Sequence, residues 1–305
     1  MTYGSMGMHR KALEYKLKSL QIRQGLYGDR HPDTALSFNN VGLTFSALGD
    51  EEKALQYHRK ALRIRLALLG EEHPDVATSY NNIGCSYDSS GDHRKALQFH
   101  MKALEIRRAC FGEKHPLVAS SYNNIGCTYG SLGEHAKALE YQEKALDIYR
   151  SIFGEKYPGV ATAYNNIAGS YNKLGDFRKA LEYHEKALSV YRAVFGEQNA
   201  DVAMSYNKVG CAHGTLRNHE KALEFLLKAL DIRLALFGEQ NADVATSYNN
   251  VGCAYGSLGQ YEKALEYLRK ALAIRKALFG ESSVSTVKTR TNIDRICERM
   301  GNRHE

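Results

Sequence analysis

No stretch of the 305 residues approaches the roughly 18 consecutive apolar residues a membrane helix needs. The opening MTYGSMGMHRKALEYKLKSL lacks the basic-then-apolar order of a secretory leader. Asn-x-Ser/Thr acceptor sites are absent, and none of the six cysteines belongs to a CxxC pair. These absences predict a cytoplasmic protein with no membrane association. Catalytic signatures are missing too: GxGxxG, GxxxxGK(S/T), HExxH and GxSxG do not occur. No enzyme and no cofactor are expected, and no residue stands out as catalytic. Cys85, Cys127, Cys211 and Cys253 are spaced by 42, 84 and 42 residues. Zinc needs four donors brought round one ion, which cysteines a whole period apart in a stacked array do not supply. His58, His100 and His184 also recur at one repeat position, which reads as packing rather than as a metal site.

What is present is a soluble composition: 43% hydrophobic, 25% charged, formal net charge +7. The positive balance raises nucleic acid as a partner, but Lys and Arg are interleaved with Glu, as in KALEYHEKAL, like a solvated helix face. No concentrated basic patch argues for nucleic acid.

The dominant feature is a period of 42 residues without insertion. Full copies occupy 31–72, 73–114, 115–156, 157–198, 199–240 and 241–282, sharing PxVAxSYNNIGCxYxSLGDxxKALEYxxKALxIRxALFGE. Residues 1–30 match the end of a copy, and 283–305 match the first half of one or a capping helix. The chain 1–305 therefore reads as a single array whose first and last copies are partial.

Each copy reads as a helical hairpin. The first helix opens at His73-Pro74-Asp75, with proline at the first helical position and an acidic residue in the positive first turn. It ends at a glycine (Gly49, Gly91, Gly133, Gly175, Gly259), replaced once by Arg217, and Asp50, Asp92, Asp176 and Asn218 follow as N-caps. The second helix stops at Gly70, Gly112, Gly154, Gly196, Gly238 and Gly280. Val76, Tyr80, Ile83 and Tyr87 form the buried stripe of the first helix; Ala96, Leu97, Ala103, Leu104 and Ile106 form that of the second. Gly42, Gly84, Gly126, Gly210 and Gly252 inside first helices predict close helix approach. A lone hairpin cannot bury these faces, so neighbours must stack.

NNIGxxYxxLGxxxKALEYxxKAL resembles the tetratricopeptide repeat, with its Ile-Gly pair, the tyrosine four beyond that Ile, and Ala-x(6)-Ala in the second helix. The 42-residue version, with NN in the first helix and ALxIRxxxxGxxHPxVA at the junction, is similar to the repeats of kinesin light chains, although coiled-coil heptads are absent. The resemblance covers essentially the whole chain. It implies an all-α, right-handed α-solenoid superhelix of antiparallel helix pairs. It also implies an adaptor that holds peptide segments of partner proteins in a groove lined by first helices, without catalytic chemistry.

Opposite the buried stripe, the first helix carries small polar residues, exemplified by Thr78, Asn81, Asn82, Cys85 and Ser89. Asparagine offers a donor and an acceptor to a peptide amide. The row runs Asn39, Asn40, Asn81, Asn82, Asn123, Asn124, Asn165, Asn166, Asn207, Asn249, Asn250 and Asn292, a ladder for an extended segment in which one of each pair can equally be structural. A second row, Arg23, Arg65, Arg107, Arg233 and Arg275, with Tyr149 and Tyr191 interposed, could read acidic side chains or merely complement helix dipoles. Cations on the first-helix face are chiefly Lys173 and Lys208. Cys110, which shares a position with Leu68 and Leu278, is expected to be buried. Two other functions remain open: self-association of the array into homo-oligomers through its partial ends, and RNA binding with steep salt dependence.

Overall fold

The computed structural model describes residues 3–301, with side chains from residue 8 onward, and contains fourteen helices and no strand among them. The contacts divide the chain into two compact units, one from Tyr3 to Gly154 and one from Glu155 onward. The first holds α1 (Tyr3–Tyr27), α2 (Pro32–Ala47), α3 (Glu51–Leu69), α4 (Pro74–Ser89), α5 (His93–Phe111), α6 (Pro116–Ser131) and α7 (His135–Phe153). The second holds α8 (Pro158–Leu174), α9 (Phe177–Phe195), α10 (Ala200–Thr215), α11 (His219–Phe237), α12 (Ala242–Ser257), α13 (Tyr261–Phe279) and α14 (Val284–Gly301).

Local chemistry sets the helix ends. At the start of α4, Pro74 supplies the preset φ, and His73 Nδ1 accepts from the Asp75 N–H at 3.1 Å. Asn199 and Asn241 do the same with side-chain oxygens, so the position is a cap whether histidine stands there before proline or asparagine before alanine. Asp50, Asp92 and Asp176 cap second helices by accepting from Lys53, Lys95 and Lys179 N–H groups. Asn218 stands at the same place but makes no side-chain cap bond, which corrects the expectation for that residue. Arg217 takes φ 61° where the other repeats place glycine, the one non-glycine residue with positive φ among those described.

Each first helix packs along its second helix, and within each unit each second helix packs on the next first helix. The alternating stripes close a continuous core in each unit: Val76, Ala77, Ile83, Ala96 and Ala103 are fully buried, and a buried Ile contributes about 1.5–3 kcal/mol. Where the two helices of a hairpin cross, five of the six full copies place glycine. A Cβ on Gly84 would lie 2.6 Å from His100 Cε1, and one on Gly252 would lie 2.7 Å from Leu268 Cγ. In the copy at 157–198 alanine stands there as Ala168, and the facing His184 bonds Asn165 Oδ1 through Nδ1 at 2.8 Å.

Within each unit, successive first helices also approach one another: α2 with α4, α4 with α6, α10 with α12, and α12 with α14. Second helices make no comparably close approach among the described residues. Closer spacing on one side is what a bent stack produces on its inner side, so the first helices line the inner face of each unit.

Candidate functional site

The inner face displays the polar residues anticipated for it. Cys85 and Ser89 are exposed, while Thr78, Asn81 and Asn82 are half-buried, because they occupy the helix stripe opposite Val76 and Ile83. The asparagines are joined laterally. Asn82 Nδ2 donates to Asn39 Oδ1 at 2.7 Å, and Asn124 Nδ2 donates to Asn81 Oδ1 at 2.9 Å. In the second unit Asn250 donates to Asn207 at 2.8 Å and Asn292 to Asn249 at 3.1 Å. The pattern is one rule: the second asparagine of a copy reaches back to the first asparagine of the copy before. Asn123 and Asn166 are engaged as well. Asn40, the second asparagine of the first full copy, has no such amide partner among the described residues. Each tie uses one of two N–H donors and one acceptor lone pair, so hydrogen-bonding capacity remains on both amides.

The arginine row is internal. NH1 of Arg65 donates to the Asp75 carbonyl at 3.0 Å and to Ser79 Oγ at 2.8 Å. Arg23, Arg107 and Arg233 make the same pair of bonds, to Asp33 and Ser37, Leu117 and Ser121, and Asp243 and Ser247. Arg275 bonds Ser285 O and Thr289 Oγ1. Burial lowers the pKa of Arg65, Arg107, Arg233 and Arg275. Each arginine thus fastens the end of a second helix to the next first helix. Where Tyr191 replaces it, the corresponding Ser205 hydroxyl is buried without a partner.

Two singular features interrupt the periodicity. In the second unit a cavity of about 500 Å³ is lined by residues including Asn165, Lys173, Phe177, His184, Asn207 and Lys208. Lys208 replaces the second asparagine, its pKa is lowered by desolvation, and its ammonium has no hydrogen bond or ion pair among the described residues. Its charge, added to burial, holds His184 down to about 4. Further along the same unit, Lys288 and Arg295 of α14 act on the Cys253 thiol, so more cations face this row than Lys173 and Lys208 alone. Sequence spacing held that signal, since both lie a whole number of periods from Thr246 and Cys253.

In the first unit the singular residue is Asp88. It meets His100 Nε2 at 3.2 Å, His93 Nδ1 at 3.0 Å and the Thr128 hydroxyl at 2.6 Å. Burial pushes its carboxyl up, but the hydrogen bonds from His100, Thr128 and His93 outweigh that and hold it low. No group of three or more His, Cys, Asp or Glu positioned for a metal occurs among the described residues.

The thiols of Cys85 and Cys127 are open to solvent yet set among protein atoms, and desolvation, with Asp88 adding, pushes each up to about 11. Cys110 is exposed, not buried as its position suggested, with Sγ 3.1 Å from the Glu72 carbonyl oxygen. Its equivalent Leu68 is 44% exposed. The last turn of the second helix projects past the packed hairpin, so an apolar residue type there does not mean core.

Helical hairpins repeated at this period, with small residues at the crossing and a polar inner face, define a helical-repeat scaffold. The chain belongs to the tetratricopeptide repeat family, whose model matches residues 1–67, 54–109, 89–151, 159–235, 215–277 and 243–305. Among solved structures it is similar to BtubC (BKLC) from P. vanneervenii, with 27% identity over 75% of this chain and 89% of that one and a TM-score of 0.63. It is similar in fold to a putative kinesin light chain of nearly identical repeats from Podosopora anserina (18% identity, 68% of this chain, 98% of that one, TM-score 0.58). The apo form of RapI shares the fold as well (20% identity, 90% and 95% coverage, TM-score 0.64). No curated protein matches the chain. Repeats of this family are protein-interaction scaffolds, generally without enzymatic activity. No helix of the described residues is long and apolar enough to cross a membrane.

Proposed function

We propose that the chain is an adaptor whose inner face holds an extended peptide segment of a partner protein. The observation that carries this reading is the row of laterally tied asparagines beside an open cavity with an unpaired lysine. The ties hold each amide in a fixed orientation, and their spare donors and lone pairs suit the N–H and C=O groups of an extended backbone. Preorientation lowers the ordering cost of binding. The small neighbours Thr78, Cys85 and Ser89 allow a backbone to come close.

Lys208 is the cation for an acidic side chain of that segment. A desolvated, unpaired ammonium gains from a carboxylate what it lost in leaving water. A carboxylate approaching Arg65 or Arg107 would instead compete with the carbonyl and hydroxyl oxygens already bound there. The reading therefore assigns the acidic contact to Lys208 and leaves the arginine row as inter-repeat fasteners. Phe177, partly exposed at the same cavity, offers an apolar wall.

The test is a peptide array of tiled segments probed with the whole chain and with Lys208→Ala. Captured peptides should carry Asp or Glu, and Lys208→Ala should lose them; capture of basic segments, or none at all, would contradict the reading.

A further inference from the structure

The helix-two ends carry a feature that the peptide-binding face does not use. In the unit from Tyr3 to Gly154, Tyr27, Leu68, Leu69, Phe111, Ile152 and Phe153 are each between 37% and 52% exposed. They occupy two adjacent positions of the period, at the C-terminal ends of α1, α3, α5 and α7. Phe195 and Phe237 repeat the arrangement in the other unit, at 41% and 42%. These ends are not on the inner face, and every copy keeps a large apolar side chain where a solvated helix end would take a polar one.

We propose that this edge is an interaction surface whose partner is a second copy of the chain, paired edge to edge. Three observations select that occupant. The first is period: apolar side chains recur at the same step in each successive second helix, and a surface that satisfies all of them needs the same step. A copy of the chain has it. The second is area. Two-fifths of three aromatic side chains that bury roughly 150–250 Å² each, with three smaller aliphatic ones beside them, leaves on the order of 400 Å² of apolar surface in this unit. Interfaces are only about 56–58% apolar, so the patch that such a stripe anchors comes close to the ~800 Å² per partner of a standard interface.

The third is charge. Beside the stripe in this unit Arg108 Nε lies 2.6 Å from Glu113 Oε2, so that cation is already neutralised within its own copy. That pair adds no net like charge where two identical edges meet. Edge pairing is isologous and closes at two copies, which separates it from growth through the chain ends.

Sedimentation equilibrium of the whole chain, from micromolar to the highest soluble concentration, reads the outcome. The mass should rise from 34.2 kDa toward twice that value and stop. Leu69→Glu combined with Phe111→Glu should leave the chain monomeric with an unchanged helical circular-dichroism spectrum. Should that double variant unfold, Phe111→Ser alone should shift the dimer dissociation constant at least tenfold. A monomer at every concentration would overturn the proposal. So would a dimer indifferent to these substitutions, or growth past two copies that Val287→Glu on α14 abolishes. None of these outcomes bears on peptide capture by the inner face, which peptide titration of the monomer measures separately.

Discussion

Asn82 of α4 donates from Nδ2 to Asn39 Oδ1 of α2 at 2.7 Å, and the same 43-residue step joins Asn124 to Asn81 and Asn250 to Asn207. The bond crosses between copies, so the row serves stability as well as display. Asn82→Ala, Asn124→Ala and Asn250→Ala should each lower stability by about 1 kcal/mol, the typical net worth of one hydrogen bond. Asn40→Ala should not, because Asn40 has no earlier rung to reach. Urea melts of the four variants decide this; equal losses at all four positions would show that the lateral ties are not what stabilises the row.

The arginine fasteners lead to an opposed pair of expectations. Ser121 accepts from Arg107 NH1 at 2.8 Å, whereas Ser205, at the equivalent place, is fully buried without a partner because Tyr191 stands where arginine would be. Ser121→Ala should cost about 1–3 kcal/mol by leaving a buried guanidinium donor unmet. Ser205→Ala should be neutral or stabilising. A cost at Ser205 equal to that at Ser121 would mean that its hydroxyl is satisfied after all.

His58 is 1% exposed, packs over Gly42, and has no partner on either ring nitrogen. Burial, with Arg65 adding, lowers its pKa to about 4. The unfolded chain then binds a proton that the folded chain refuses between pH 6.5 and 4. Stability is fully present above pH 6.5 and is lost as pH falls through that window, by on the order of 2–3 kcal/mol for this residue. Leu226 and Leu268 occupy the same position over Gly210 and Gly252, so His58→Leu is a substitution the fold already accommodates. Thermal melts at pH 7 and pH 4.5 should show a smaller difference for His58→Leu than for the parent chain; an unchanged difference would assign the acid sensitivity to other groups.

Arg217 holds φ 61° at a turn where the other copies place glycine. A left-handed conformation costs a non-glycine residue about 1 kcal/mol or more. Arg217→Gly should therefore raise the melting temperature by a few degrees, and a fall would show that the arginine side chain contributes more than its backbone costs.

Hairpins, capping glycines, crossing glycines and the Arg217 exception were legible in the sequence because each is a local or strictly periodic requirement. The arginine row was legible as a row but not as a fastener, since its partners Ser79 and Ser121 lie fourteen residues on, across a helix junction that spacing alone does not fold. The lateral amide ties were hidden for the same reason: they join side chains 43 residues apart. Cys110 was misread because residue type was taken for burial, while the helix end at which it sits projects beyond the core. Lys208 was visible as an exception, but only the cavity around it and its lack of a partner give it a role.

The central claim is that a bound segment lies along the inner face. The thiols of Cys211 and Cys253 stand on the inner face of the unit that holds Lys208, those of Cys85 and Cys127 on the inner face of the other unit, and Cys110 at a second-helix end serves as an internal reference. Because desolvation raises the thiols of Cys85 and Cys127 to about 11, alkylation is best followed at alkaline pH, where the thiolate forms. The decisive measurement is peptide-resolved mass spectrometry of alkylation rates, with and without a saturating peptide recovered from the array, at one protein concentration. The account predicts that the peptide slows modification of Cys211, which lines the Lys208 cavity, at least severalfold and leaves Cys110 unchanged. Binding that protects Cys110 while Cys85, Cys127 and Cys211 react at their free rates would place the ligand elsewhere and contradict it.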